Sequence, residues 1–264
     1  MNALYDEIGV GYDGTRAADP VIADRLAGLL QLDPRDHLFD LACGTGNYTT
    51  TLAGRCAQTT GIDASREMIA SARAKSAPSL PVDWHVGLAE ALPFPDARFD
   101  KAMCTLAIHH FPALAPAFGE VRRVLKPEGR RFVLFTSTPE QMRRYWLCDY
   151  FPRMMEASIA QMPARERVED ALHAAGFATI EAEPYSVTAD IVDMFLYSGK
   201  QRPALYLEPG FRAGISSFAN LGTVSEVEDG LARLARDIES GAVEARIEAS
   251  EHDGGDYLFI VARD

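Results

Sequence analysis

The chain has 264 residues, 47% of them hydrophobic and 24% charged, which suffices for one sizeable core and matches an ordinary folded protein. With 26 Lys and Arg against 38 Asp and Glu, its formal net charge of -12 argues against a phosphate-backbone partner, so no nucleic acid is expected. The start has no basic or apolar targeting segment, no apolar run approaches membrane-spanning length, and the four cysteines (43, 56, 104, 148) lack metal-type spacing; the expectation is a cytoplasmic protein with free thiols, no membrane partner and no metal.

In chain order, the Gly-rich and aromatic stretch from Tyr5 to Arg16 reads as a mobile leader covering residues 1–18. Asp19-Pro20 then caps a helix with Ile22, Leu26, Leu29 and Leu30 on one face. Next comes Phe39-Asp40-Leu41-Ala42-Cys43-Gly44-Thr45-Gly46-Asn47-Tyr48-Thr49, an apolar run that breaks into Gly-x-Gly and continues with helical spacing at Tyr48, Thr49, Leu52 and Ala53. Strand, tight loop and helix in that order form a ligand loop. The glycines let the backbone bend and a ligand approach, and the helix start presents free N–H groups. Asp40, near the strand end, offers a carboxylate to a cationic ligand. A dinucleotide fingerprint would put a third Gly or Ala where this chain has Thr49.

The string Asp40-x-Ala42-Cys43-Gly44-x-Gly46 resembles motif I of class I S-adenosylmethionine-dependent methyltransferases, in particular the small-molecule group that includes ubiquinone/menaquinone-biosynthesis C-methyltransferases. That resemblance implies S-adenosylmethionine as cofactor, with Asp40 and the Gly44 and Gly46 backbone at its methionine end and Ala42, Thr49 and Ala64 among the residues that bind it. It also implies that the leader folds over the cofactor through Tyr12 and Arg16.

Thr59 to Asp63 reads as a second strand ending in an acid seventeen residues past Gly46, placed to accept both hydroxyls of a ribose. An alternative role for Asp63 is the N-cap of the helix that follows Ala64 and Ser65. Met68 is either core of that helix or, as the resemblance implies, an apolar floor under adenine. Val82 to Val86 alternates as a third strand, and Gly87-Leu88-Ala89-Glu90-Ala91-Leu92-Pro93-Phe94 resembles the family's adenine loop. Leu88 stands where the family often has Asp or Asn, so adenine recognition is expected from backbone around Leu88, Ala89 and Glu90.

A fourth strand is predicted over Lys101–Ala107. Within it Cys104 is either a ligand-facing residue, as the resemblance implies, or a small buried hydrophobe. His109 and His110 follow at the strand's carboxyl end, where ligands of open parallel sheets sit, and either imidazole is a candidate general base. Pro112 opens a helix through Leu125, and Arg131–Phe135 is a fifth strand. Residues 120–129 resemble the family's helix and turn at that place.

Further on, a helix over Val168–Ala175, a strand over Phe177–Val187 and a last strand over residues 256–263 complete the pattern. A capping box from Ser225 to Glu228 marks one more helix. Stretches 138–165 and 189–250 are too long for connections. The first holds Met142, Tyr145, Trp146, Tyr150, Phe151, Met154 and Met155, and the second Phe195, Tyr197, Tyr206, Phe211 and Phe218. They read as a helical lid whose aromatics and methionines line an acceptor pocket, or else form a mini-core or dimer face.

The expected fold is α/β: one domain over 1–264, a doubly wound seven-strand sheet with its last strand antiparallel, as the resemblance implies, and a helical lid. The expected function is methyl transfer from S-adenosylmethionine to a small organic acceptor by a monomer or homodimer. An NAD(P)-dependent oxidoreductase and a cofactor-binding member without catalysis are the alternatives.

Overall fold

A computed structural model describes residues 16–264. Seven strands form one sheet: β1 (His37–Leu41), β2 (Gln58–Asp63), β3 (Val82–Val86), β4 (Lys101–Thr105), β5 (Arg131–Thr136), β6 (Thr179–Tyr185) and β7 (Tyr257–Arg263). Their spatial order is β3-β2-β1-β4-β5-β7-β6. The first five pair in parallel, and β7 runs antiparallel to both β5 and β6. This is the doubly wound sheet with a reversed last strand that the sequence predicts.

Helices cover both faces. α1 (Pro20–Leu30) starts where predicted: the Val21 and Ile22 amides donate to the Asp19 carboxylate, and Pro20 occupies the first turn. α2 (Asn47–Ala53) follows the glycine loop and α3 (Arg66–Lys75) follows β2. On the opposite face lie α4 (Leu114–Val124), with Phe118 and Val121 fully buried, and a later helix over Arg165–Ala174. Each such side chain contributes about 1.5–3 kcal/mol of burial.

The long stretches after β5 and before β7 fold into short helices. After β5 come α5 (Pro139–Met142), α6 (Leu147–Tyr150) and α7 (Pro152–Gln161), ahead of α8 (Arg165–Ala174). Before β7 come α9 (Pro209–Ala213), α10 (Ser216–Asn220), α11 (Val224–Ser240) and α12 (Ala242–Ala249). Their aromatics mostly pack on one another. The Tyr145 and Tyr197 rings stack with centroids 3.8 Å apart, and Trp146, Phe151, Met154 and Tyr206 are buried in the same core that receives α1. Of the twelve aromatics and methionines singled out in these stretches, Met142 and Phe195 reach a cavity and the others form core.

Three boundaries depart from expectation. The fourth strand stops at Thr105, because Leu106 adopts φ 53 and turns the chain out of the sheet. The strand predicted over Phe177–Val187 is paired only over Thr179–Tyr185. Thr223, not Ser225, caps α11, accepting from the Glu226 amide, while the buried Glu226 carboxylate accepts from the Arg153 and Met154 amides and so caps α7. The expected box of Ser225 and Glu228 is therefore not formed, because the helix starts two residues earlier. Among the described residues no helix is long and apolar enough to cross a membrane.

Candidate functional site

The strand order reverses between β1 and β4, and open parallel sheets bind ligands in the crevice beyond that point. A cavity of about 390 Å³ occupies it, within the range of small-molecule sites. The glycine loop forms one wall. Gly44 has φ 55 and open space where a Cβ would stand, so a ligand can lie against its backbone. Gly46 serves a different purpose. With φ 77 it caps α2, and its missing Cβ makes room for the Trp84 ring, not for the cavity.

Asp63 organises the floor. Its Oδ2 accepts the Gly44 amide at 2.9 Å and its Oδ1 the Ser65 amide at 2.8 Å, so one carboxylate ties the loop after β1 to the start of α3. The N-cap of α3 is Ser65, whose hydroxyl accepts from the Met68 amide, and not Asp63. Beyond β3, the Ala91 amide bonds the Leu88 carbonyl, closing a tight turn with Ala89 and Glu90 at its tip. Leu88 is 53% exposed, whereas Glu90 Oε1 is buried with no partner among the described residues.

The sequence candidates divide by position. Arg16, Ala42, Gly44, Asp63, Ala64, Met68, Leu88, Ala89, Glu90 and His110 line this crevice. Asp40, Gly46, Thr49 and Cys104 do not. Asp40 lies beneath the loop, where the Thr49 hydroxyl donates to its Oδ2 at 2.5 Å and Oδ1 is buried without a partner among the described residues. Burial, opposed by that hydrogen bond and reinforced by the charge of Asp63, raises the Asp40 pKa to about 7. Cys104 is core, and it is its neighbour Thr105 that lines the crevice. Tyr12 lies outside the described residues, as does most of the 1–18 leader.

A side chain that the sequence left unmarked completes the crevice. Asp193, from the lid stretch before β7, is buried at its edge, bonded by Arg16 Nε at 2.5 Å and by the Tyr48 hydroxyl at 3.1 Å. Nothing local distinguishes Asp193 from the many other acids of that stretch.

A smaller cavity of about 90 Å³ adjoins the crevice; the two share Arg16 and Leu106. His109 lines this one and not the crevice, although its ring centroid is 3.9 Å from that of His110. Burial lowers the His110 pKa to about 4, and burial together with the His110 charge lowers that of His109 to about 3. Both rings are therefore neutral in the folded protein at pH 7. The unfolded chain takes up protons below 6.5, so the pair makes stability fall as pH drops from 6.5 towards 4. Asp40, with its raised pKa, contributes the opposite slope between 3.8 and about 7. Urea denaturation from pH 7.5 to 4.5 should accordingly show a shallower acid loss in a His109→Gln, His110→Gln double variant than in the parent; identical slopes would contradict the assignment.

Among the described residues no group of three or more His, Cys, Asp or Glu is placed to hold a metal ion.

Comparison with known proteins yields consistent findings. A family model described as a methyltransferase domain matches residues 39–133. The ubiquinone/menaquinone biosynthesis C-methyltransferase UbiE of Rubrivivax gelatinosus is 37% identical over 115 residues, 44% of this chain and 43% of that protein. A demethylmenaquinone methyltransferase of Chlorobaculum parvum is 30% identical over 178 residues, 59% of this chain and 71% of its own. The chain spans about half the length of the first curated relatives it matches. A solved structure from Anabaena variabilis, described as a methyltransferase from an antibiotic biosynthesis pathway, is 31% identical with a TM-score of 0.83, covering 95% of this chain and 99% of that one.

Proposed function

The chain belongs to the class I S-adenosylmethionine-dependent methyltransferases, and from that premise we propose that it carries a methyl group from S-adenosylmethionine to a small organic acceptor. The observation that carries this reading is the single crevice in which the open Gly44 loop, Asp63 and the Leu88–Glu90 turn face one another. The residues present fit the cofactor. Gly44 leaves space against its backbone, and Glu90 Oε1 is a buried acceptor that a ligand donor would satisfy.

Asp63 would hold the ribose hydroxyls and Met68 the adenine face. The carboxylate of Glu90 would accept from the adenine amino group, doing what the Leu88 side chain cannot. Asp193, fixed by Arg16 and Tyr48, presents a carboxylate to the cationic end of the cofactor. Asp40 acts on that end through its field, from beneath the loop. When bound, the cofactor supplies a methyl group already activated on a sulfonium. The protein's part is alignment and exclusion of water, with a neutral imidazole on each cavity wall able to accept a hydrogen bond from the acceptor; pKa values lowered to about 3 and about 4 make both rings weak bases, against the general-base role expected of them.

Calorimetric titration with S-adenosylmethionine and with NAD tests the reading. Binding of the first and not the second is expected, and NAD binding alone would end it. The Glu90 role has its own test. Glu90→Ala should weaken S-adenosylhomocysteine by roughly tenfold, the size of one hydrogen bond to a charged group. The same variant should bind S-inosylhomocysteine, which lacks the amino group, no more weakly than the parent does; an equal loss for both ligands would remove Glu90 from adenine recognition.

A further inference from the structure

We propose that the smaller cavity between the sheet and the lid is the acceptor chamber, and that it takes a compact, uncharged acceptor whose O–H or N–H group donates to His109. This rests on the reading above, and it narrows the acceptor to a chemical class.

Place is the first argument. The cavity meets the cofactor crevice at Leu106 and Arg16, where β4 ends and the chain turns outward, so a molecule in it faces the crevice at the carboxyl ends of the central strands. Size is the second. An engineered apolar cavity of about 150 Å³ is enough to hold benzene. At about 90 Å³ this chamber has room for one small ring at most, and a prenylated ring exceeds it.

Polarity is the third. Hydroxyls and an amide line the chamber: Thr136 and Ser137 from the end of β5, Ser158 and Gln161 from α7, and Ser217 from α10. The Ser158 and Ser217 hydroxyls bond each other at 2.9 Å, which fixes the two lid helices as one wall. No carboxylate lines it among the described residues, and its one charged side chain, Arg16, is compensated by Asp193. An ionised acceptor would thus leave bulk water for a site with no opposite charge to receive it, whereas a neutral hydrogen-bonding molecule finds matched partners. His109 then supplies the directional contact. Its ring lines the chamber, and burial keeps it neutral, so one of its two ring nitrogens is an acceptor for a protic group.

Ligand-observed NMR on the full chain saturated with S-adenosylhomocysteine tests this with four probes: phenol, anisole, benzoate and a geranylated naphthoquinol. Phenol is expected to bind at least tenfold better than anisole, which matches its shape but lacks the donor, and better than benzoate or the geranylated quinol. His109→Phe should erase the preference of phenol over anisole. Ser217→Val, which narrows the wall without touching His109, should weaken both probes alike. Equal binding of phenol and anisole, stronger binding of benzoate or the geranylated quinol, or a phenol preference that survives His109→Phe would overturn the inference. Retained S-adenosylhomocysteine affinity in each variant shows that it is folded. Failure of the parent to bind S-adenosylhomocysteine would instead overturn the cofactor reading, and the chamber's role with it.

Discussion

Replacing Asp63 by Ala should weaken S-adenosylhomocysteine binding by roughly 100-fold or more, measured by calorimetry. The proposed ribose contact gives the carboxylate two hydrogen bonds to ligand hydroxyls, and hydrogen bonds to charged groups are worth about 1.5–3 kcal/mol each. The backbone adds to this. Asp63 also holds the Gly44 and Ser65 amides, so Ala removes the anchor that shapes the loop before any ligand arrives. Asp63→Asn separates the two contributions: its amide oxygen keeps one of the backbone contacts while the charge is lost. Its affinity should fall between those of the parent and the Ala variant. Affinity within threefold of the parent in Asp63→Ala, at unchanged melting temperature, would show that the ribose is held elsewhere.

Much of this crevice was legible because its signals are local. A glycine turn after an apolar run, an acid at the end of the next strand and an Asp-Pro helix start each state their geometry within a few residues. What escaped is set by direction or distance. Asp40 was placed against the ligand on the strength of its position near the strand end. On β1, Phe39 and Leu41 enter one core cluster and Leu38 the other, and alternation puts Asp40 on the Leu38 side, under α2 and against Thr49. His109 and His110 could not be told apart in sequence. They sit on a 3-10 turn, where successive side chains point about 120° apart, and only the surrounding helices show which cavity each one enters. Asp193 depends wholly on tertiary contacts to Arg16 and Tyr48. The stretches after β5 and before β7 were visible as surplus length and aromatic content, yet their helices are mostly too short for a periodic pattern to separate pocket from core.

Replacing Lys200 by Ala should destabilise the protein by about 3–5 kcal/mol at pH 7.5, the usual cost of removing one partner from a buried ion pair. Lys200 and Asp256 are each 1% exposed, and Lys200 Nζ lies 3.0 Å and 3.1 Å from the two Asp256 oxygens. The pair joins the lid to the sheet at several points. Asp256 Oδ2 accepts the Val187 amide at 2.8 Å, and the Tyr145 hydroxyl donates to the Asp256 carbonyl. The Trp146 indole donates to the Lys200 carbonyl, and Glu251 takes a further contact from the ammonium. Burial already raises the Asp256 pKa against the pull of Lys200, and without the lysine it rises further. A carboxyl with a raised folded-state pKa gains stability as pH falls, so the deficit of Lys200→Ala should shrink on acidification, whereas a simple packing loss would not. A Lys200→Met, Asp256→Asn double variant removes both charges yet keeps an acceptor for the Val187 amide. It should recover most of the lost stability in urea denaturation. If the double variant is no more stable than Lys200→Ala, or if the deficit is the same at pH 5 and pH 7.5, these helices are held by their aromatic core, and the ion pair contributes little to joining them to the sheet.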